Sequence, residues 1–244
     1  MTYCVAVSVD SGLVFCSDSR TNAGPDMLSS YSKMNIFRPN ENQRFCILTS
    51  GNLATTQAII DKIQIDLEQS EVNLGSFERL TEAAEYVSNV SRTIQTSAQA
   101  SAGASGVDVS ASLLLGGQIN GKAQNVFLIY AAGNFIAASK ETLFLQIGES
   151  KYGKPILDRV IKNDTPLEDV ARCALVSMDS TIKSNSTVAP PIETLIFDFA
   201  SFDHDHYVKM DVKDPYLENL RIIWDQKIKE AFSSLPKFEW ENLG

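Results

Sequence analysis

The order in which the hydrophobic period changes along the chain most constrains its fold. Residues 2–9 and 13–17 are short runs rich in β-branched and aromatic residues, joined by Asp10-Ser11-Gly12, a composition suited to a hairpin turn. Residues 34–37 and 45–49 form a second such pair. At "GNLATTQAIIDKIQIDLEQS" the period switches: Leu53, Ile60, Ile63 and Leu67 recur at helical spacing, with Asn52 placed to cap. A second helix is expected over residues 76–97, from Leu80, Ala83, Val87 and Val90. "SAQASAGASG" then reads as a flexible connection. The second half repeats the order. "SASLLLGGQI", "NVFLIYAAGN" and "TLFLQIG" are strand-like, "KPILDRVI" and "PLEDVARCALVSMDSTIK" helix-like, and "IETLIFDFA" and "HYVKMDV" strand-like again. Leu217, Leu220, Trp224 and Ile228 make an apolar stripe on a long last helix. Strand pairs and helix pairs in alternation describe two sheets packed on each other with helices outside, an α+β arrangement. A chain of 244 residues can bury a sizeable core, and we expect one domain over residues 1–244, with a C-terminal helix and tail over 215–244.

Charge and composition narrow the partners. A net charge of -9 argues against a nucleic-acid or anionic-membrane surface, both of which need a basic footprint. No apolar run approaches the roughly 18 residues of a spanning helix, and the chain start lacks the basic and apolar regions of a signal peptide. A cytoplasmic setting is expected, in which the Asn-Ser-Thr triplet at Asn185 is not a glycan acceptor. The four cysteines, Cys4, Cys16, Cys46 and Cys173, lie far apart and mostly inside apolar runs, so buried free thiols are expected. Neither a metal nor a cofactor is called for. The "DHDH" run at residues 203–206 offers too few ligands on one strand face for zinc and reads as a polar turn.

The first strand begins on Thr2, directly behind Met1. Removal of Met1 leaves a threonine whose α-amine has a pKa near ~8 and can act as base for its own hydroxyl. Such a nucleophile needs a cation to hold the amine's pKa down, a carboxylate to hold that cation, and N–H groups for the oxyanion. Asp18 at the end of the second strand, Lys33 before the third and Gly51 in "TSGNLA", where strand turns into helix, are candidates. Taken singly, each has a plain structural reading: a strand start, a turn ion pair of Asp18 with Arg20, a solvated lysine, a helix-entry glycine.

The stretches "MTYCVAV", "GLVFCSDSRTNAG" and "TSGNLATTQAIID", with "LQIGESKYGKPILDR" and "SMDSTIKSN" further on, resemble the N-terminal-nucleophile hydrolases of the proteasome β-subunit superfamily over almost the whole chain. The resemblance implies a four-layer αββα sandwich of two antiparallel sheets covered by helices. It implies Thr2 as nucleophile, Asp18 and Lys33 as its carboxylate and lysine, Arg20 beside them, and Gly51 as the oxyanion glycine. It places Asn22 on the substrate main chain, and Thr49 and Leu53 in the side-chain pocket. Where the superfamily has Gly-Ser-Gly, this chain has Gly148-Glu149-Ser150, and the helper Asp and Ser fall on Ser184 and Thr187. A carboxylate gained near the α-amine favours the ammonium form and weakens the base, and Lys33 would offset it.

Three functions fit these features: a threonine peptidase enclosed in an oligomer, a non-peptide amidase on the same chemistry, or a catalytically quiet assembly scaffold. The resemblance implies a homo-oligomer, as a closed ring or an open helical arrangement, and the sequence names no unfoldase. The aromatic tail "LPKFEWENLG" would dock on its own core or on a neighbouring subunit.

Overall fold

The computed structural model describes residues 2–22, 28–103, 106–119, 121–202 and 205–242. Two five-stranded antiparallel sheets face each other. The first has β1 (Tyr3–Val9), β2 (Gly12–Asp18), β10 (Phe144–Gly148), β11 (Ile192–Asp198) and β12 (Asp205–Met210), in the order β10-β1-β2-β11-β12. The second runs β5-β6-β7-β8-β9, from β5 (Met34–Asn40), β6 (Gln43–Gly51), β7 (Ala111–Ile119), β8 (Asn125–Ile129) and β9 (Phe135–Ala137). A small ribbon of β3 (Arg20–Asn22) and β4 (Leu28–Ser30) stands apart; it had no counterpart in the sequence reading.

Alternation along the strands builds three cores. In β1, Tyr3, Val5 and Val7 face the helices α3 (Lys154–Val160) and α4 (Leu167–Ser184), while Cys4 and Ala6 face the other sheet. In β6, Phe45 and Ile47 face α1 (Leu53–Gln69) and α2 (Leu80–Ala102), while Cys46 and Leu48 face the first sheet. Both faces of the central strands are therefore covered. That is why "YCVAVSV" and "FCIL" are almost uninterrupted apolar runs instead of alternating with charge. The result is the four-layer αββα sandwich. All four cysteines are buried and free, and burial pushes the Cys16 thiol up to about 12 and the Cys173 thiol up to about 11.

Several boundaries differ from the sequence expectation. Helix α2 starts at Leu80, not Ser76, because Asn73 caps a separate short turn over Leu74–Ser76 and the Glu82 carboxylate accepts from the Arg79 N–H. It also continues through most of "SAQASAGASG", whose alanines favour helix, as far as Ala102. Of the "DHDH" run, Asp203 and His204 lie outside the described residues, whereas Asp205 and His206 open β12. The last helix, α5 (Pro215–Ser233), buries Leu217 and half-buries Leu220 and Trp224, but leaves Ile228 exposed. Phe238 and Trp240 do not dock on the chain's own core. They stack on each other, centroids 4.3 Å apart, and stay exposed. No helix among the described residues is long and apolar enough to cross a membrane.

Candidate active site

Thr2 sits buried at the head of β1, and its position is set by its neighbours. The Tyr3 N–H donates to Asp18 Oδ1 at 3.0 Å, and the Tyr3 phenol is buried against Ser177 Oγ and accepts from Gln146 Nε2 at 2.9 Å. Burial holds that phenol's pKa well above its ordinary value. On the other side, the Glu149 N–H donates to the Thr2 carbonyl at 2.7 Å.

Asp18 ends β2 and is fully buried. Its Oδ1 accepts from Lys33 Nζ at 2.7 Å, and the same ammonium donates to the Arg20 carbonyl at 2.7 Å. Burial pushes the Asp18 carboxyl above its usual range. The Lys33 charge and the Tyr3 and Ala189 backbone N–H groups pull the other way. The Thr49 N–H donates to the Lys33 carbonyl at 3.0 Å, fixing the lysine's backbone to β6. Lys33 is therefore a buried, paired cation and not a solvated one.

Thr2, Lys33, Arg20, Thr49, Gly51 and Leu53 line one cavity of about 440 Å³. Gly51 closes β6 with φ +114°, and a Cβ there would meet the Ser110 carbonyl oxygen at 2.2 Å, so both conformation and space require glycine. Asn52 caps α1 directly after it, its Oδ1 accepting from the Thr55 N–H at 3.2 Å. Arg20 Nη1 donates to the Ser186 carbonyl at 2.9 Å. Asn22 lies in the β3–β4 ribbon, opposite Leu28.

The departures from the superfamily pattern divide. Glu149 is buried; its Oε1 accepts from the Lys151 N–H at 2.9 Å and its Oε2 from Asn185 Nδ2 at 3.3 Å. Asn185 in turn accepts from Thr187, from Oγ1 at 2.6 Å and from N–H at 3.1 Å. Glu149 and Thr187 are thus joined in one network next to Thr2. Ser150 and Ser184 are not: both are exposed, and Ser150 borders a separate cleft with Lys154 and Asp158. Asn185 was missed as a site residue. Its signal was an Asx turn, Asn185-Ser186-Thr187, in which the side chain bonds the backbone two residues on. Among the described residues, no group of three or more His, Cys, Asp or Glu could hold a metal ion.

A threonine hydroxyl, a buried Lys–Asp pair and a glycine at a helix entry on one cavity make up the parts list of an acyl-transfer site. The fold that carries them is the proteasome-type N-terminal-nucleophile fold. The chain belongs to the proteasome subunit family, whose profile matches residues 2–196. It is similar to three solved Anbu structures. One is Anbu, an ancestral β-subunit, from Yersinia bercovieri, at 40% identity and TM-score 0.90, covering 98% of this chain and 99% of that one. Another is a helical assembly of the Anbu complex from Pseudomonas aeruginosa, at 39% identity and TM-score 0.91, covering 97% and 98%. The third is a Gly-1 mutant of Anbu from Hyphomicrobium sp. strain MC1, at 37% identity and TM-score 0.90, covering 98% and 100%. Among curated proteins the sequence has no match.

Proposed function

We propose that this chain is an N-terminal threonine hydrolase acting on peptide or amide bonds within a proteasome-like homo-oligomer in the cytoplasm. The observation that carries the reading is the buried Lys33–Asp18 pair, 2.7 Å long, on the same cavity as Thr2. Removal of Met1 frees the Thr2 α-amine. That amine takes the Thr2 Oγ1 proton, directly or through one water, as Oγ1 attacks the substrate carbonyl carbon. Lys33, held by Asp18, keeps positive charge beside the hydroxyl and holds the amine's pKa down. The oxyanion forms by the Gly51 N–H, at a helix entry where the backbone dipole favours negative charge. The tetrahedral species collapses, the leaving amine takes the proton from the α-ammonium, and an ester on Thr2 remains. Water, activated by the same α-amine, then hydrolyses the ester.

One feature favours a second reading, that of a quiet scaffold or a weak enzyme. Glu149, whose N–H donates to the Thr2 carbonyl, carries a buried carboxylate held by the Lys151 N–H and Asn185. Where such a carboxylate acts on the α-amine it stabilises the ammonium, which is no base.

The experiment is intact mass with labelling by an electrophile that traps N-terminal threonine. We expect loss of Met1 and one adduct on Thr2, absent in Thr2→Ala. A retained Met1, or a Thr2→Ala protein of unchanged activity, overturns the assignment. As for assembly, the similar Pseudomonas aeruginosa protein is described as a helical one, which supports an oligomer here.

A further inference from the structure

We propose that the cavity beside Thr2 selects substrates whose side chain entering it is long and ends in a cation, as lysine and arginine do. The inference rests on the reading of Thr2 as the reacting residue, and gives that site its substrate class.

The cavity has two walls. Asn35 and Thr49 form one, from β5 and β6; α1 forms the other, with Leu53, Ile60, Gln57 and Asp61 on successive turns of one face. Several polar atoms on these walls are free to accept, and the Gln57 amide offers both a donor and an acceptor. Asn35 Nδ2 is spent on the Ile47 carbonyl at 3.3 Å and the Lys33 carbonyl at 3.5 Å, which leaves its Oδ1. The Thr56 hydroxyl, also lining the cavity, donates to the Leu53 carbonyl at 2.9 Å, which leaves its lone pairs. Asp61 makes no hydrogen bond or ion pair among the described residues.

The cations of the cavity lie away from the α1 wall, on other elements. Lys33 is neutralised by Asp18 at 2.7 Å, and Arg20, on β3, donates to the Ser186 carbonyl at 2.9 Å and keeps its charge. The neighbouring helix cation, Lys62, is paired with Asp66. The α1 wall presents one uncompensated carboxylate, Asp61, beside the apolar Ile60, with the polar Gln57 between Ile60 and Leu53. An aliphatic stem against Ile60, with its charged head at Asp61, matches that order. An acidic side chain would meet a carboxylate, and a purely aliphatic one would leave the acceptors facing nothing.

Calorimetric titration of the Thr2→Ala protein, which binds without turnover, tests this. The probes are three N-acetyl tripeptide amides that differ only in the last side chain: arginine, norleucine or glutamate. At low ionic strength the arginine peptide should bind about fivefold tighter than norleucine, the scale of a partly exposed ion pair, and Asp61→Asn should remove the preference. Norleucine or glutamate binding as tightly as arginine, a preference that survives Asp61→Asn, or no binding of any of the three overturns the proposal. In parallel, the unsubstituted protein is challenged with an arginine-bearing electrophile. An arginine preference without an adduct on Thr2 overturns the hydrolase reading and leaves the pocket assignment standing.

Discussion

Gly148 lies so close to Thr2 that a Cβ on it would fall 2.0 Å from the Thr2 carbonyl oxygen and 3.2 Å from the Thr2 Cβ. Its φ of +79° is also a conformation that disfavours side chains. The end of β10 is therefore the back wall against which the first residue of β1 is set. Gly148→Ala should displace Thr2 while most of the sandwich stays intact. We expect adduct formation at Thr2 to fall at least about tenfold, with a loss of stability on the order of 1–3 kcal/mol from the strained backbone. Normal labelling with a normal unfolding midpoint would show that the contact does not position Thr2.

The Lys33–Asp18 pair predicts both a rate and a pH profile. Lys33→Met should lower hydrolysis by about 10²–10⁴-fold and move the acidic limb of the profile upward, since the α-amine must be neutral to act as base and loses the cation that lowers its pKa. Asp18 adds a second loss at lower pH. Burial raises its pKa, so protonation removes the Lys33 counter-charge at a pH above the ordinary carboxylate value of about 4, and activity should fall further there. The stability sign is the reverse of the usual ion-pair case. The folded state holds the Asp18 proton more tightly than the unfolded chain, so this group's contribution declines as pH rises through its folded pKa. A pH–rate profile of Lys33→Met parallel to that of the parent protein would contradict the role.

How much of this was legible in the sequence depended on range. The αββα order was readable because covering both faces of a strand leaves a local mark, the continuous apolar run, as in "YCVAVSV". Thr2, Asp18, Lys33, Thr49, Gly51 and Leu53 were readable as a group only through resemblance; all but Asp18 line one cavity, and Asp18 lies buried behind it on Lys33. Asn185 and Tyr3 were not. Each is an ordinary residue whose role comes from partners far along the chain, Glu149 for the first and Ser177 and Gln146 for the second. Ser150 and Ser184, to which register against the superfamily pattern pointed, lie exposed and outside the cavity that Thr2 lines.

Arg44 is the clearest case of a residue whose type misleads. By composition it is a surface cation, yet it is fully buried between the sheets. Its guanidinium donates to Gln118 Oε1, to Asp205 Oδ1 at 3.1 Å, and to the carbonyls of Asp198, Ser201 and Phe202. It also sits 4.7 Å from the Phe197 and Phe202 ring centroids. Desolvation lowers its pKa and Asp205 opposes that. This one side chain ties β6 and β7 to the β11–β12 turn. Arg44→Met leaves those acceptors buried and unpaired, so urea unfolding should show a loss of about 3–5 kcal/mol. Arg44→Lys should recover little of it, because a single ammonium cannot reproduce the planar fork. A loss under about 1 kcal/mol in both variants would show that water replaces the guanidinium.

The surface of the last helix and tail predicts association. Ile222, Ile223 and Ile228 on α5 are exposed, as are Phe232, Leu235, Phe238 and Trp240 beyond them, with Phe232 at 73% and Trp240 at 67% of full exposure. Large apolar side chains clustered this way mark a surface that another molecule covers. The helix itself is held on one side only: Asp214 caps its start, Leu217 is buried, Arg221 Nε donates to Asp179 Oδ1 at 2.7 Å and Asp225 pairs with Lys183, while beyond Asp225 it makes no comparable anchor among the described residues. The anchored half is positioned by its own chain, and the exposed half is free to meet a second copy. A chain of 26.8 kDa should therefore scatter light at micromolar concentration as a multiple of that mass. Phe232→Asp combined with Trp240→Ser should shift the mass toward the single chain. The Asp179–Arg221 anchor, tested by Arg221→Ala, should affect helix docking and assembly together. A single-chain mass for the unsubstituted protein would reject the assembly. An unchanged multiple in the Phe232→Asp, Trp240→Ser variant would show that the chains associate through another face.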